Sequence, residues 1–222
     1  MNNIPKDTLV MKVTKLFKEN IIKISIILGL IFFLFISFQI YSYFTLQNIY
    51  KNSEAYFNSK DLDSNDDFVN IMNQLSKNQD FYSVLATLEL IKINKKENNI
   101  ILVEELYNNL LNNKKLKKEY LTAIAAHASY NFLDLMFETS DLTLNKIING
   151  FIENIDEEML SYQGIKLELK YLLLIAEQDI NNIVAINHGD YQDIYNSIIE
   201  SENISNTIKD RVNKIHEFQL YK

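Results

Sequence analysis

Between Lys23 and Lys51 the sequence runs for 27 residues without a formal charge. In its first 21 residues, Ile24 to Phe44, 14 are Ile, Leu or Phe. Coiled as a helix at about 1.5 Å per residue, that stretch is about 31 Å long, which matches the hydrocarbon core of a bilayer. At roughly 0.3–0.6 kcal/mol for each central Leu, Ile or Phe, insertion into lipid is favoured by several kcal/mol, with no charge to oppose it. A buried core helix is the competing reading, but such a helix seldom carries bulky apolar residues around its whole circumference. A cleaved signal peptide fits poorly, because the run is too long for an h-region and Tyr43-Phe44-Thr45-Leu46 offers no small-x-small cleavage site. The chain has no cysteine, so a lipoprotein anchor is excluded as well. The expectation is a single-pass signal anchor.

Lysine asymmetry gives that anchor a direction. Residues 1–23 carry Lys6, Lys12, Lys15, Lys18 and Lys23 against Asp7 and Glu19, whereas the chain after Tyr50 holds 17 basic and 27 acidic residues. The positive-inside rule then places the N-terminus in the cytoplasm and the long C-terminal part across the membrane. Tyr41, Tyr43, Phe44 and Tyr50 fall at the far interface, where amphipathic rings are favoured. The resulting division is a cytoplasmic tail over 1–22, a transmembrane helix over 23–45, a juxtamembrane stalk helix over 46–60 and an extracytoplasmic helical domain over 61–222. Ser25-x-x-x-Gly29 has the small-residue spacing that lets a second membrane helix approach, a spacing also common by chance.

Composition narrows what the remaining residues can build. One proline and four glycines are too few for the frequent turns of a β-sandwich or barrel. Without cysteine there is no disulfide scaffold, thiolate metal site or thiol nucleophile. A formal charge of −7 argues against a nucleic-acid partner. Ile, Asn and Lys, at 31, 28 and 21 residues, make up over a third of the chain, a bias expected of an AT-rich genome.

After a turn-rich loop at Asp61–Asp67, apolar residues recur at helical spacing. The stripes include Phe68, Ile71, Met72 and Leu75; Phe81, Val84, Leu85, Leu88 and Ile91; Val103, Leu106, Tyr107 and Leu110; Leu121, Ile124, Ala125, Ala128, Phe132 and Leu135; and Leu144, Ile147, Ile148 and Phe151. Tyr191, Ile194 and Ile198 follow, then Ile208, Val212 and Ile215. Breaks between them are short and polar, with Asp141 and Asp156 suited to N-caps. Short breaks force neighbouring helices to fold back as hairpins, drawn here over about 81–113, 117–155 and 157–200. Their starts lie some 36–40 residues apart, close to the period of an α-solenoid. The predicted fold class is therefore all-α, an N-terminal transmembrane helix followed by a degenerate, tetratricopeptide-like α-solenoid of helical hairpins.

The segment from Phe81 to Leu90, the segment from Tyr120 to Ala128, and Leu167-Glu168-Leu169-Lys170 resemble successive repeat helices of the YfgM family, ancillary subunits of the SecYEG translocon. In that family Gly-Asp usually follows the Glu-Leu-Lys element, whereas this chain has Tyr171-Leu172. The resemblance covers most of the chain and rests on architecture and small-residue placement. It implies a membrane-anchored interaction scaffold in the bacterial inner membrane, with its C-terminal domain periplasmic. The partners it implies are the Sec translocon and periplasmic chaperones or secretory clients. A scaffold for another envelope process, such as cell division, respiratory-complex assembly or a secretion apparatus, fits the same residues. A membrane-tethered enzyme is the remaining alternative.

No catalytic constellation supports an enzyme. Asp61-x-Asp63-x-Asn65 copies the start of an EF-hand loop, but Asp66 stands where glycine is needed and Met72 where a bidentate glutamate is needed. His127, His188 and His216 are isolated from one another; His127 lies among alanines on a packed face, and His188-Gly189-Asp190 suits a loop. Glu104-Glu105 and Glu157-Glu158 are most simply solvated helix faces. No cofactor is expected. The candidate protein-binding groove is a set of tyrosines, Tyr120, Tyr130, Tyr162, Tyr171, Tyr191 and Tyr195, on the concave side of the stack, since tyrosine joins contact area to a polar tip. The alternative is that these are half-buried structural residues.

Overall fold

The computed structural model describes residues 6–62, 64–182 and 189–221. For the opening turns of the first helix, the side chains it describes are those of Met11, Thr14, Lys15 and Lys18, and then of Asn20 onward. His188 and Asp63 lie outside the described residues. Helices follow one another without a strand among the described residues: α1 (Lys6–Ser59), α2 (Asn65–Leu75), α3 (Phe81–Lys96), α4 (Ile100–Leu111), α5 (Lys118–Thr139), a 3-10 turn (Leu142–Leu144), α6 (Asn145–Glu153), α7 (Leu160–Ile180), α8 (Gly189–Glu200) and α9 (Asn206–Gln219). The chain divides into two units, 1–63 and 64–222.

The first unit is built on α1, whose 54 residues extend about 81 Å. The sequence suggests a separate tail, membrane helix and stalk; from Lys6 to Ser59 the backbone is one helix. No glycine cluster or internal proline lies within it to break the ladder, and Gly29 alone is too weak a breaker. Residues Asn20–Ser59 contain a window of mean hydropathy 2.7, none of it buried, so this helix is long and apolar enough to cross a membrane.

The second unit winds from α2 to α9, each helix packing chiefly on its sequence neighbours, with α5 also meeting α7 and α7 meeting α9. The hairpins expected over 81–113, 117–155 and 157–200 correspond to α3–α4, α5–α6 and α7–α8, with α2 before them and α9 after. Two apolar clusters fill the unit. One joins Ile91, Tyr107, Phe132, Ile148 and Phe151 from α3 to α6 with Leu169, Leu173 and Ala176 of α7. The other joins Tyr171 and Ile175 of α7 with Tyr191, Ile198, Ile208 and Val212 of α8 and α9, and with Ile204 between them. Each large side chain fully withdrawn from water contributes about 1.5–3 kcal/mol.

Helix ends are set by local polar chemistry. Asp80 accepts the Ser83 amide at 2.9 Å and caps α3; Ser64 caps α2 through the Asp67 amide. Asp141 accepts the amide and hydroxyl of Thr143, but it caps the 3-10 turn and not α6 itself. Asp156 accepts the Glu158 amide within the turn, while α7 starts later, at Leu160 with Met159 at its N-cap. At C-termini, Asn98, Ser140 and Asn182 take left-handed φ values of 56°, 54° and 57°. After α3, the Asn99 amide reaches the Asn94 carbonyl and the Asn98 amide reaches the Lys95 carbonyl, which is the paired bonding of a Schellman stop. Asparagine here does what glycine does elsewhere, which explains how a glycine-poor chain makes tight helix–helix turns.

Two of those glycines predict opposite outcomes. A Cβ at Gly164 would sit 3.0 Å from Ile208 Cδ1 and 3.1 Å from Ile204 Cγ2, whereas one at Gly150 meets nothing within 4 Å. Gly164→Val is expected to lower unfolding stability by about 1–3 kcal/mol through overpacking, and Gly150→Ala to raise it by about 0.5–1 kcal/mol through helix propensity. Thermal or denaturant unfolding of the two variants measures both.

Candidate functional site

The six tyrosines do not gather on one surface. Tyr171 and Tyr191 are fully buried, so the expectation that they line a groove is corrected: they are core. The Tyr171 hydroxyl donates to the Tyr191 hydroxyl at 2.8 Å, and the Tyr191 hydroxyl lies 2.7 Å from His216 Nδ1. Tyr195 stacks on the His216 ring with centroids 3.9 Å apart and donates its hydroxyl proton to Asn213 at 2.8 Å. These rings join α7, α8 and α9. They are buried because a phenol combines apolar area with a polar tip, which satisfies a helix junction as readily as it suits a partner. Tyr162 packs half-buried on the first cluster, and Tyr120 remains exposed on the first turn of α5.

Tyr130 belongs to a different device. Its hydroxyl donates to Glu168 Oε2 at 2.8 Å, and Arg211, the single arginine in the chain, donates Nε to Oε1 at 2.7 Å and Nη2 to Oε2 at 2.6 Å. Glu168 is 2% exposed, so a carboxylate on α7 is held by a forked guanidinium from α9 and a phenol from α5. Burial, then the neighbouring Glu168 charge, pushes the Tyr130 hydroxyl well above its ordinary range, which keeps it protonated as a donor. A second buried charge, Lys166, donates to the Ile155 carbonyl at 3.2 Å and pairs with Glu157 at 2.8 Å, while Lys118 pairs with Asp156 at 2.6 Å and with Glu158 at 3.3 Å. Glu157 and Glu158 pair with these lysines at the α6–α7 turn and stay largely solvated, as expected of them.

A third network surrounds Tyr107, whose ring is fully buried on α4. Its hydroxyl accepts from Asn131 Nδ2 at 2.6 Å and lies 2.9 Å from His127 Nδ1, while Lys95 Nζ donates to Asn131 Oδ1 at 2.9 Å. His127 is therefore a partner to a core phenol. Among the described residues no group of His, Asp or Glu is placed to hold a metal ion.

An open groove of about 480 Å³ lies elsewhere, between α2, α3 and α4. Asp66, Val69, Asn70 and Asn73 line it from one face of α2, with Asn65 at the start of the helix. Leu90, Ile93, Asn94 and Glu97 of α3 and Leu102 and Leu106 of α4 complete it. Among the described residues no lysine or arginine lines it. Sequence reasoning passed over it because asparagine was attributed to genome composition. The available signal was the asparagine face of α2, opposite its Met72–Leu75 core stripe. No protein-family model, curated protein or solved structure matches the chain.

Removing the Arg211 fork leaves Glu168 buried with a lone phenol donor. Arg211→Met is expected to destabilise the protein by about 2–3 kcal/mol, less than a fully buried pair would lose because the guanidinium is half exposed. Arg211→Lys recovers only part, since an ammonium cannot grip both oxygens; chemical denaturation of the pair measures this.

His216 adds a pH dependence. Burial, as the leading cause, holds its pKa below the ordinary 6.5. A base depressed on folding binds fewer protons folded than unfolded, so its contribution is complete above about pH 6.5 and is lost as pH falls. The unfolding temperature is expected to fall between about pH 7 and 5.5, and His216→Gln to flatten part of that fall, His127 having the same sign. Thermal unfolding across pH is the measurement.

Proposed function

We propose that this chain is a single-pass, membrane-anchored protein-interaction scaffold without catalytic activity. The observation that supports the reading is α1, whose apolar window has no burial within the protein and suits lipid as its solvent. Five lysines before the apolar run and the acidic balance after it favour a cytoplasmic N-terminus and a helical domain across the membrane. The successive hairpins α3–α4, α5–α6 and α7–α8 suit a degenerate tetratricopeptide-like solenoid, whose first helices start at Phe81, Lys118 and Leu160. The resemblance to YfgM-like proteins points to the bacterial inner membrane beside the Sec translocon, with periplasmic chaperones or exported chains as partners. Anchoring raises the effective concentration of the domain near that channel, so modest affinity suffices.

Photo-crosslinking in intact cells tests this, with a reactive side chain in place of Asn70 or Tyr120 of the full chain. Adducts with translocon subunits or secretory chains are the expected outcome, and carbonate extraction is expected to leave the protein in the membrane pellet. Adducts exclusively with division, respiratory or secretion-apparatus proteins would replace the translocon assignment. Release by carbonate would remove the anchor.

A further inference from the structure

Resting on the scaffold reading, we propose that the α2–α3–α4 groove binds a short, extended, basic segment of another protein, one carrying lysine or arginine beside aliphatic side chains. Three features of the groove select this chemistry. Its aliphatic floor, Leu90, Ile93, Leu102 and Leu106, offers apolar area to side chains that point inward. Its α2 wall presents Asn70 and Asn73, both exposed, and each amide carries one carbonyl acceptor and an NH2 donor, the same pair a peptide unit needs.

Charge supplies the third. Asp66 and Glu97 flank the groove and among the described residues no cation lines it, while residues 64–222 hold 24 acidic against 15 basic side chains. That field attracts a basic segment and repels both an acidic one and a second copy of this domain.

The asparagine wall favours an extended chain, whose peptide groups are free to pair with it, whereas a helix pairs its own. From Asp66 to Asn73 the wall rises seven residues, about 10 Å, which spans about three extended residues at ~3.3 Å each.

The test uses the full chain in phosphatidylcholine nanodiscs, which carry no net charge to attract a cationic probe. The probes are fluorescein-labelled heptapeptides, Ala-Lys-Leu-Ala-Lys-Val-Ala and its counterpart with glutamate in place of lysine. Fluorescence anisotropy is expected to show the lysine peptide binding about fivefold or more tightly than the glutamate peptide, a margin that shrinks in about 0.5 M salt. Asp66→Asn with Glu97→Gln is expected to erase that margin, and Asn70→Ala with Asn73→Ala to weaken the lysine peptide about fivefold or more. Circular dichroism of each variant checks that the helices persist. Equal binding of the two peptides, no binding by either, or a margin that survives the carboxylate variant would overturn the proposal. Those outcomes leave the membrane anchor and the translocon adducts to their own tests, so the two readings fail separately.

Discussion

Helix α7 has to be buried on two sides at once, and the arrangement of residues 64–222 follows from that requirement. Leu169, Leu173 and Ala176 enter the cluster shared with α3 to α6, while Tyr171 and Ile175 enter the one shared with α8 and α9. Neither cluster would close without α7 between them. The same helix must bring Glu168 inside, because Glu168 lies between the faces that meet α5 and α9, and the charge is answered from both directions by Tyr130 and Arg211. Gly164 belongs to the same constraint: the approach of Ile204 and Ile208 leaves little room for a side chain there.

Two sets of polar groups in this interior are arranged as short relays. Tyr171 passes to Tyr191 and on to His216; Lys95 passes to Asn131 and on to Tyr107. In each relay a phenol is buried with its oxygen satisfied, which avoids the cost of about 1–3 kcal/mol that an unpaired buried polar group incurs. The networks tie helices distant in sequence, from 20 residues apart for Tyr107 and His127 to 43 for Glu168 and Arg211, and so specify which faces meet where apolar contact alone would allow sliding.

Most of the helix order was legible in the sequence because the apolar stripes have a sharp period and the breaks are short. The segment 81–113 resolves into α3 and α4 for that reason, with Asn94 to Asn99 marking the turn between them. Legibility failed where a helix lacks a single face. Residues 160–180 offered no clean stripe, because α7 is buried on opposite sides and periodicity reports only one-sided burial. The tyrosines failed for a related reason: a phenol suits a buried junction or a wet surface equally, and spacing does not separate Tyr171 from Tyr120. The capping reading was half right, since Asp141 does cap, but a 3-10 turn inserted before α6 receives it. No local pattern marks Arg211 as the partner of Glu168, and the groove was hidden by treating asparagine as background.

The solitary arginine gives the molecule a built-in gauge. An arginine-directed protease has one scissile bond in the entire chain, Arg211–Val212, set within α9 beside a carboxylate that grips the guanidinium. Cleavage there requires α9 to let go and unwind, so nicking proceeds in proportion to the fraction of molecules with that helix detached. The chain thus reports the loosening of its last helix at a single peptide bond, with no label attached.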